Sequence, residues 1–295
     1  MSSYEAAGVS LGKAEAVVQR LRAAVASTGG SLGGFAGLYP LDDERLLAAS
    51  MDGVGTKLIL SRRAGRLFDA GVDLVAHCVN DVITTGADPL FFLDYVASGS
   101  LDLEEVAELI EGAASVCREA GCAILGGESA ELPGIYHDDE LDFAGACIGL
   151  VRRADLVDGS RCEAGDVVLG LPSVGLHANG FTLVRSLIGD ADFDADLLLP
   201  PTRLYLDEVR ALRREADVRA LAHVTGGGIE GNLSRVVPEG LRVVIDWDSW
   251  ERRPVFEWLA RHVAEDELRR VFNLGIGYCA VVSDAAGRPI IGRIE

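Results

Sequence analysis

Short apolar runs that end in glycine or an acid, alternating with stretches of helical periodicity, constrain this chain most. Residues 46–51 run straight into Asp52-Gly53, and Ala123-Ile124-Leu125 opens onto Gly126-Gly127-Glu128, both strand-then-loop signals. Residues 90–97, 143–151, 166–171, 241–246 and 276–283 read as further strands. Apolar positions at helical spacing (Leu11, Ala14, Val17, Val18, Leu21, Val25) predict a helix over 11–26. The same reading gives helices over 74–84, 180–188, 202–215 and 254–262. Asp102-Leu103-Glu104-Glu105 resembles a capping box that opens a helix running to Ala120, with Gly121 at the C′ position. Each half therefore mixes strands and helices, which predicts two α/β or α+β domains. The polar, turn-rich segment 152–165 is the expected linker, dividing residues 1–158 from 159–295.

Composition narrows the function classes. With 49% hydrophobic and 25% charged residues and a mean hydropathy of +0.23, the chain has material for a proper core. No apolar run approaches the roughly 18 residues of a membrane span, and the N-terminus has no secretory pattern, so a soluble cytoplasmic protein is expected. The formal net charge of -19 leaves no basic footprint for nucleic acid. It also requires Mg²⁺ and a few local Lys or Arg side chains if phosphates are to bind. The six cysteines form no C-x-x-C pair and read as small buried hydrophobes.

Three glycine-rich patterns compete for chemistry. Gly29-Gly30-Ser31-Leu32-Gly33 matches G-x-S-x-G, but it follows a helix where a nucleophile elbow needs a strand, so a loop is expected. Gly226-Gly227-Gly228-Ile229-Glu230-Gly231 matches G-x-G-x-x-G, yet it sits too late in the chain for a dinucleotide fingerprint. Asp52-Gly53-Val54-Gly55-Thr56-Lys57 is not a Walker A loop, though its parts suit phosphate work. Gly53 and Gly55 allow close backbone approach, Asp52 can hold Mg²⁺ and Lys57 can neutralise phosphate. From spacing alone, a tight turn with solvated Asp52 and Lys57 fits equally well.

Acids at the ends of apolar elements favour the phosphate reading. Asp81 follows Asn80 in a helical segment, Asp94 interrupts an apolar strand, and Glu128 and Glu131 follow Gly126-Gly127. In the second half, His177 and Asn179 lie in the loop before the helix at 180, where backbone amides can bind anions. His223 and Thr225 precede Gly226 to Gly228 in a similar setting, and a structural role stays open for both histidines.

Taken in order, these motifs resemble one family. Tyr4-Glu5-Ala6-Ala7-Gly8-Val9, Asp52 to Lys57, Cys78-Val79-Asn80-Asp81, Gly126 to Tyr136, Gly175 to Gly180, His223 to Gly228 and Phe272 to Gly277 are together similar to the phosphoribosylformylglycinamidine cyclo-ligases, the aminoimidazole ribonucleotide synthetases. The resemblance implies an N-terminal domain that forms a β-barrel across a homodimer, and a C-terminal mixed sheet with helices that closes a groove against it. It implies conversion of formylglycinamidine ribonucleotide and ATP to aminoimidazole ribonucleotide, ADP and phosphate. Carried over, Asp52, Asp81 and Glu128 become magnesium ligands. Gly53, Gly55, Thr56, Lys57 and Asn80, with Gly33 and Gly34 of a closing loop, become ATP contacts. His177, Asn179, Gly180, Gly226, Gly227 and Gly228 become substrate contacts, and Lys57, His177 and His223 are the catalytic candidates. Ala178 departs from the family's usual serine, and Gly231 and Ser234 from its usual Glu and Pro. Residues 284–295 are expected to be only a short tail where the family continues through a helix and a final strand, leaving one face of the second domain uncovered. Two other readings are a different ATP-dependent kinase or synthetase of the superfamily, and a silent dimeric paralogue. Retention of Asp52, Lys57, Asp81 and Glu128 disfavours the paralogue.

Overall fold

Two five-stranded sheets carry the architecture, the first built before residue 153 and the second after 166. The computed structural model describes residues 3–30, 33–189, 191–285 and 287–295. The first part contains α1 (Leu11–Ala26), β1 (Gly37–Pro40), β2 (Arg45–Gly53), α2 (Lys57–Arg63), α3 (Leu67–Val82), β3 (Asp88–Ser98), α4 (Leu103–Ala120), β4 (Ala123–Glu131) and β5 (Leu141–Arg152). The second contains β6 (Val167–Pro172), α5 (Phe181–Ile188), α6 (Ala195–Leu198), α7 (Leu206–Glu215), β7 (Val218–His223), α8 (Gly228–Leu233), β8 (Val243–Ile245), α9 (Pro254–Ala260), α10 (Glu265–Val271), β9 (Ile276–Val282) and β10 (Ile290–Ile294). The fold is thus a mixed α/β one in two domains. Among the described residues no helix is long and apolar enough to cross a membrane.

The first sheet runs β1-β2-β5-β3-β4, open at both edges. Its one parallel pair, β3 with β4, is joined by α4, as a parallel connection requires a crossover. The ends of α4 follow the local chemistry: Asp102 accepts from the amides of Glu104 and Glu105, and Gly121 takes the left-handed conformation. Strand alternation puts Leu46, Ala48 and Ser50 of β2 under the helices and leaves Ala49 and Met51 on the far face. Phe92 and Phe143 are fully buried on the helix side, each contributing about 1.5–3 kcal/mol.

The second sheet runs β7-β9-β6-β10-β8, entirely antiparallel. One hydrophobic core joins α3 to Leu221, Tyr205 and Tyr278 of the second part, so α3 is packed between the two sheets. This explains why α3 is buried nearly all round, its polar Asp73, His77, Asn80 and Asp81 included.

Several expectations change. Residues 202–205 are not helical: Thr202 donates to Asp73 through both its amide and its hydroxyl, and Tyr205 N donates to Asn80, which delays α7 to Leu206. The expected tail is a strand in its outer part, since β10 pairs with β6 on one side and β8 on the other. All seven residues of β9 are buried, so the sheet is covered on both faces at its centre. Helix α1 forms as expected, capped by Ser10, but Val17, Val18 and Leu21 stay exposed.

Candidate active site at the junction of the two sheets

Asp52 ends β2 on the face covered by α3. Its Oδ2 lies 2.9 Å from His77 Nε2, and its Oδ1 accepts from the Gly53 amide at 2.7 Å. One turn on from His77, Asp81 projects from the same face of α3. Asp81 Oδ2 accepts from Ser50 Oγ at 3.0 Å, and its Oδ1 lies 2.9 Å from Nδ1 of His223, at the end of β7. The His77 and His223 rings meet edge-on with centroids 4.7 Å apart. Two aspartates and two histidines from α3, β2 and β7 therefore form one cluster bridging the sheets. Sequence reasoning had Asp52, Asp81 and His223 but missed His77. Its signal was there: a histidine four residues before an aspartate on a buried helix.

Electrostatics follow from burial and pairing. Burial lowers the His77 pKa, but the Asp52 carboxylate outweighs it and carries His77 up to about 9. Burial pushes Asp52 up, and His77 with the Gly53 amide reverses this to hold it below the usual range. For His223 burial wins over its bond to Asp81, and the imidazole is held below its ordinary value.

Glu128 does not join this cluster. Asp52, Gly145, Asp94 and Gly127 form one row across the sheet. A Cβ on Gly127 would meet the Asp94 carboxylate, so Gly127 shares that face and Glu128, the next residue, points to the other. Asp94 lies roughly 10 Å from Asp52, two strands away, with burial raising its pKa. Carboxylate oxygens on Asp52, whose side chain is 41% exposed, and on Asp81 are donors of the kind a hard divalent cation takes.

Lys57 is placed differently from its expected phosphate contact. Its ammonium is fully buried, 2.7 Å from Asp73 Oδ2 and 3.1 Å from the Pro200 carbonyl, with the Phe181 ring 5.4 Å away. It pins the start of α2 to α3 and to the second domain. Asn80 is also fully buried, donating to the Arg203 carbonyl and accepting from Tyr205 N, so its amide is spent on holding 203–205. Gly53 and Gly55 flank the turn into α2, and Thr56 shares a 3.0 Å hydrogen bond with Thr182 of the second domain. Gly33 and Gly34 follow Ser31 and Leu32, which lie outside the described residues. Gly34 O accepts from Arg235 at 2.8 Å, and that guanidinium stacks 4.1 Å over Phe35, bringing the glycine loop to the second domain.

In the second domain, Asn179 Oδ1 accepts from Gly226 N at 3.1 Å and so ties the loop before α5 to the loop before α8. His177 is fully buried at a φ of +60°, and neither ring nitrogen has a partner among the described residues. Burial holds it well below its ordinary pKa. It packs beside Tyr205 and Gly277, behind the loop surface. Gly180 and Gly228 have packing reasons of their own. A Cβ at Gly180 would sit 2.2 Å from the Phe272 ring, and one at Gly228 1.8 Å from the Arg269 carbonyl, both at positive φ. Gly227, also at positive φ, caps α8. A cleft of about 970 Å³ adjoins Gly55 and Thr56, with Arg62, Arg63, Arg185 and Tyr136 in its walls.

With this geometry in place, comparison with known proteins is decisive. The chain is 44% identical over 331 aligned residues to the phosphoribosylformylglycinamidine cyclo-ligase of Myxococcus xanthus (strain DK1622), covering 100% of this chain and 96% of that one. The chain belongs to that family. Residues 33–151 match the model of the AIR synthase related protein N-terminal domain, and 163–290 that of its C-terminal domain. The cyclo-ligase of Synechococcus sp. (strain CC9605) is 46% identical over 95% of this chain and 88% of its own. Among solved structures, thiamine monophosphate kinase from Aquifex aeolicus superposes with a TM-score of 0.68 at 16% identity, covering 97% of this chain and 96% of that one. HypE in a HypE–HypF complex gives 0.67 at 20% identity over 89% and 87%. T. maritima PurL complexed with ADP gives 0.63 at 18% identity over 89% and 42%. These structural likenesses establish the fold.

Proposed function

We infer that the chain closes the imidazole ring of aminoimidazole ribonucleotide from formylglycinamidine ribonucleotide, consuming ATP and releasing ADP and phosphate. The observation that carries this reading is 44–46% identity with cyclo-ligases over 95–100% of the chain, in a chain that clusters Asp52 and Asp81 where its two domains meet. In the reaction, the formyl amide oxygen attacks the γ-phosphorus and ADP leaves. The amidine nitrogen then attacks the activated carbon, a proton is lost, and the oxygen departs as phosphate. Positioning and charge stabilisation carry most of such a step.

Asp52 and Asp81 would hold Mg²⁺, which neutralises phosphate charge when bound. His77 and His223 hold the two carboxylates in place, as the partners of metal ligands usually do. The backbone at Gly53 and Gly55 would let phosphates approach, and Gly33 and Gly34, the latter tied to Arg235 through its carbonyl, would close over the nucleotide. Asn179 and Gly226 line the substrate side. The cleft beside Gly55 sets Arg62, Arg63 and Arg185 against Glu105, Asp139, Glu140 and Asp142, with Arg62 paired to Glu105, so a phosphorylated substrate on this chain of net charge -19 relies on the bound cation for neutralisation. The first sheet closes into a β-barrel only with a second copy, and the exposed apolar far face supports a homodimer. A cytoplasmic setting fits a soluble biosynthetic enzyme.

The test is ADP formation by the purified protein with ATP, Mg²⁺ and formylglycinamidine ribonucleotide. Substrate-dependent ADP is expected, and Asp81→Asn should lower kcat by about 100-fold or more with an unchanged circular dichroism spectrum. No substrate-dependent ADP would sink the reading.

A further inference from the structure

Three loops meet at one end of the second sheet, and a single buried side chain joins two of them. Strand β9 pairs with both β6 and β7, with Pro172 opposite Ile276 and His223 opposite Tyr278. The turn before β9 therefore lies beside the loops that follow β6 and β7. Asn273 opens that turn and is 3% exposed. Its Oδ1 accepts from Ser173 Oγ and from Gly275 N, each at 2.9 Å, and its Nδ2 donates to the Gly175 carbonyl at 2.9 Å. Ser173 N adds a bond to the Gly275 carbonyl at 2.8 Å, and Trp250 Nε1 donates to the Leu274 carbonyl at 2.9 Å.

Both joined segments hold strained backbone. His177 and Leu274 have φ of +60° and +50°, the two non-glycine residues at positive φ among the described residues, and both are fully buried. Such conformations persist where the surroundings over-determine them, and they gather at functional sites. Ser173 is also fully buried, so removing the Asn273 amide would leave a hydroxyl, an N–H and a carbonyl unpaired. The loop it fixes, Gly175 to Gly180, carries Asn179 onto Gly226 N of the loop after β7.

We propose that Asn273 is a positioning residue for the ribonucleotide, holding Gly175 to Gly180 in the shape that accepts it. This rests on the reading that Asn179 and Gly226 line the substrate side. Substrate binds only the fraction of molecules whose loop is correctly shaped, so apparent affinity falls with that fraction. The ATP contacts of the first domain are independent of it.

Asn273→Ala should raise the KM for formylglycinamidine ribonucleotide about tenfold or more and leave the KM for ATP within about twofold. Ser173→Ala, which removes one of the three bonds, should raise the same KM by about two- to threefold, and it decides the matter should Asn273→Ala fail to fold. A fall in kcat with both KM values unchanged, or an ATP KM that rises in step, overturns the proposal. Hydrogen–deuterium exchange on the unliganded chain reads the brace without the reaction. Residues 174–180 should exchange about tenfold faster in Asn273→Ala, and less so in Ser173→Ala, while β9 keeps its wild-type protection. Equal exchange overturns the brace. Wild-type protein that forms no substrate-dependent ADP overturns the cyclo-ligase reading and with it the ribonucleotide's part, while the exchange result still decides the brace.

Discussion

Lys57 shows how a residue type can suggest one role and its surroundings impose another. Beside two glycines and an aspartate it reads as a phosphate ligand, but its ammonium is sealed against Asp73, which also accepts both hydrogen bonds of Thr202. Burial draws Lys57 down and Asp73 up, and the 2.7 Å contact opposes both shifts. Removing one partner of such a pair strands a buried charge, at a cost of about 3–5 kcal/mol, while replacing both with apolar residues is far milder. Lys57→Met should therefore lower the unfolding free energy read from urea titration by that amount, and Lys57→Met with Asp73→Leu should recover only part of it, because Thr202 then loses the acceptor of its amide and its hydroxyl. If Lys57 instead bound phosphate, the single variant would raise the Kd for ATP at near wild-type stability. That outcome would restore the reading from spacing.

At the level of elements, what was legible had local chemistry behind it. Helix α4 announced itself through Asp102 and Gly121, and β2 through an apolar run ending at Asp52-Gly53. Strand β7 was not legible, because Val218–His223 holds a single β-branched residue and is otherwise mostly Arg, Ala and Leu, types that favour helix. Nor was β10, whose pairing with β6 and β8 is set by partners more than 40 residues away. The Asp52–His77 contact belongs to the same class, since only the packing of α3 on β2 creates it. Helix α10 offers a test of local chemistry. Glu265 at its first turn accepts from Arg252 and Arg269, which pull its carboxyl down to about 2. A depressed carboxylate stabilises the fold above its unfolded value near 4.5, and that contribution disappears as pH falls through about 2. With the side chain 45% exposed, solvent screening reduces it to about 1 kcal/mol or less. Glu265→Gln should thus be less stable than wild type at pH 7 by that margin, and the urea midpoints should converge as pH falls from 4.5 toward 2. A constant gap across that range would mean the effect is packing, not charge.

The whole molecule presents a conflict between charge and surface. A chain of net charge -19 repels its own copies, yet the far face of the first sheet carries Tyr39, Met51, Leu93 and Leu125 at 69%, 71%, 41% and 65% exposure. Five strands of about nine residues make a face roughly 24 Å by 30 Å, on the order of 700 Å². That is close to the roughly 800 Å² per partner that a stable interface buries. Apolar patches of this size mark association surfaces, and both sheet edges, β1 and β4, are free to continue into another chain. The protein should therefore elute at twice the 31.2 kDa chain mass in light-scattering chromatography. Met51→Lys on β2 with Leu125→Lys on the edge strand β4 places desolvated cations at two points across that face and should shift it to monomer at micromolar concentration. Because both side chains point away from α3, the monomer should keep its circular dichroism spectrum and the Asp52–His77 contact. A wild-type monomer, or a doubly substituted protein that still dimerises, would place the association surface elsewhere and leave the apolar face unexplained.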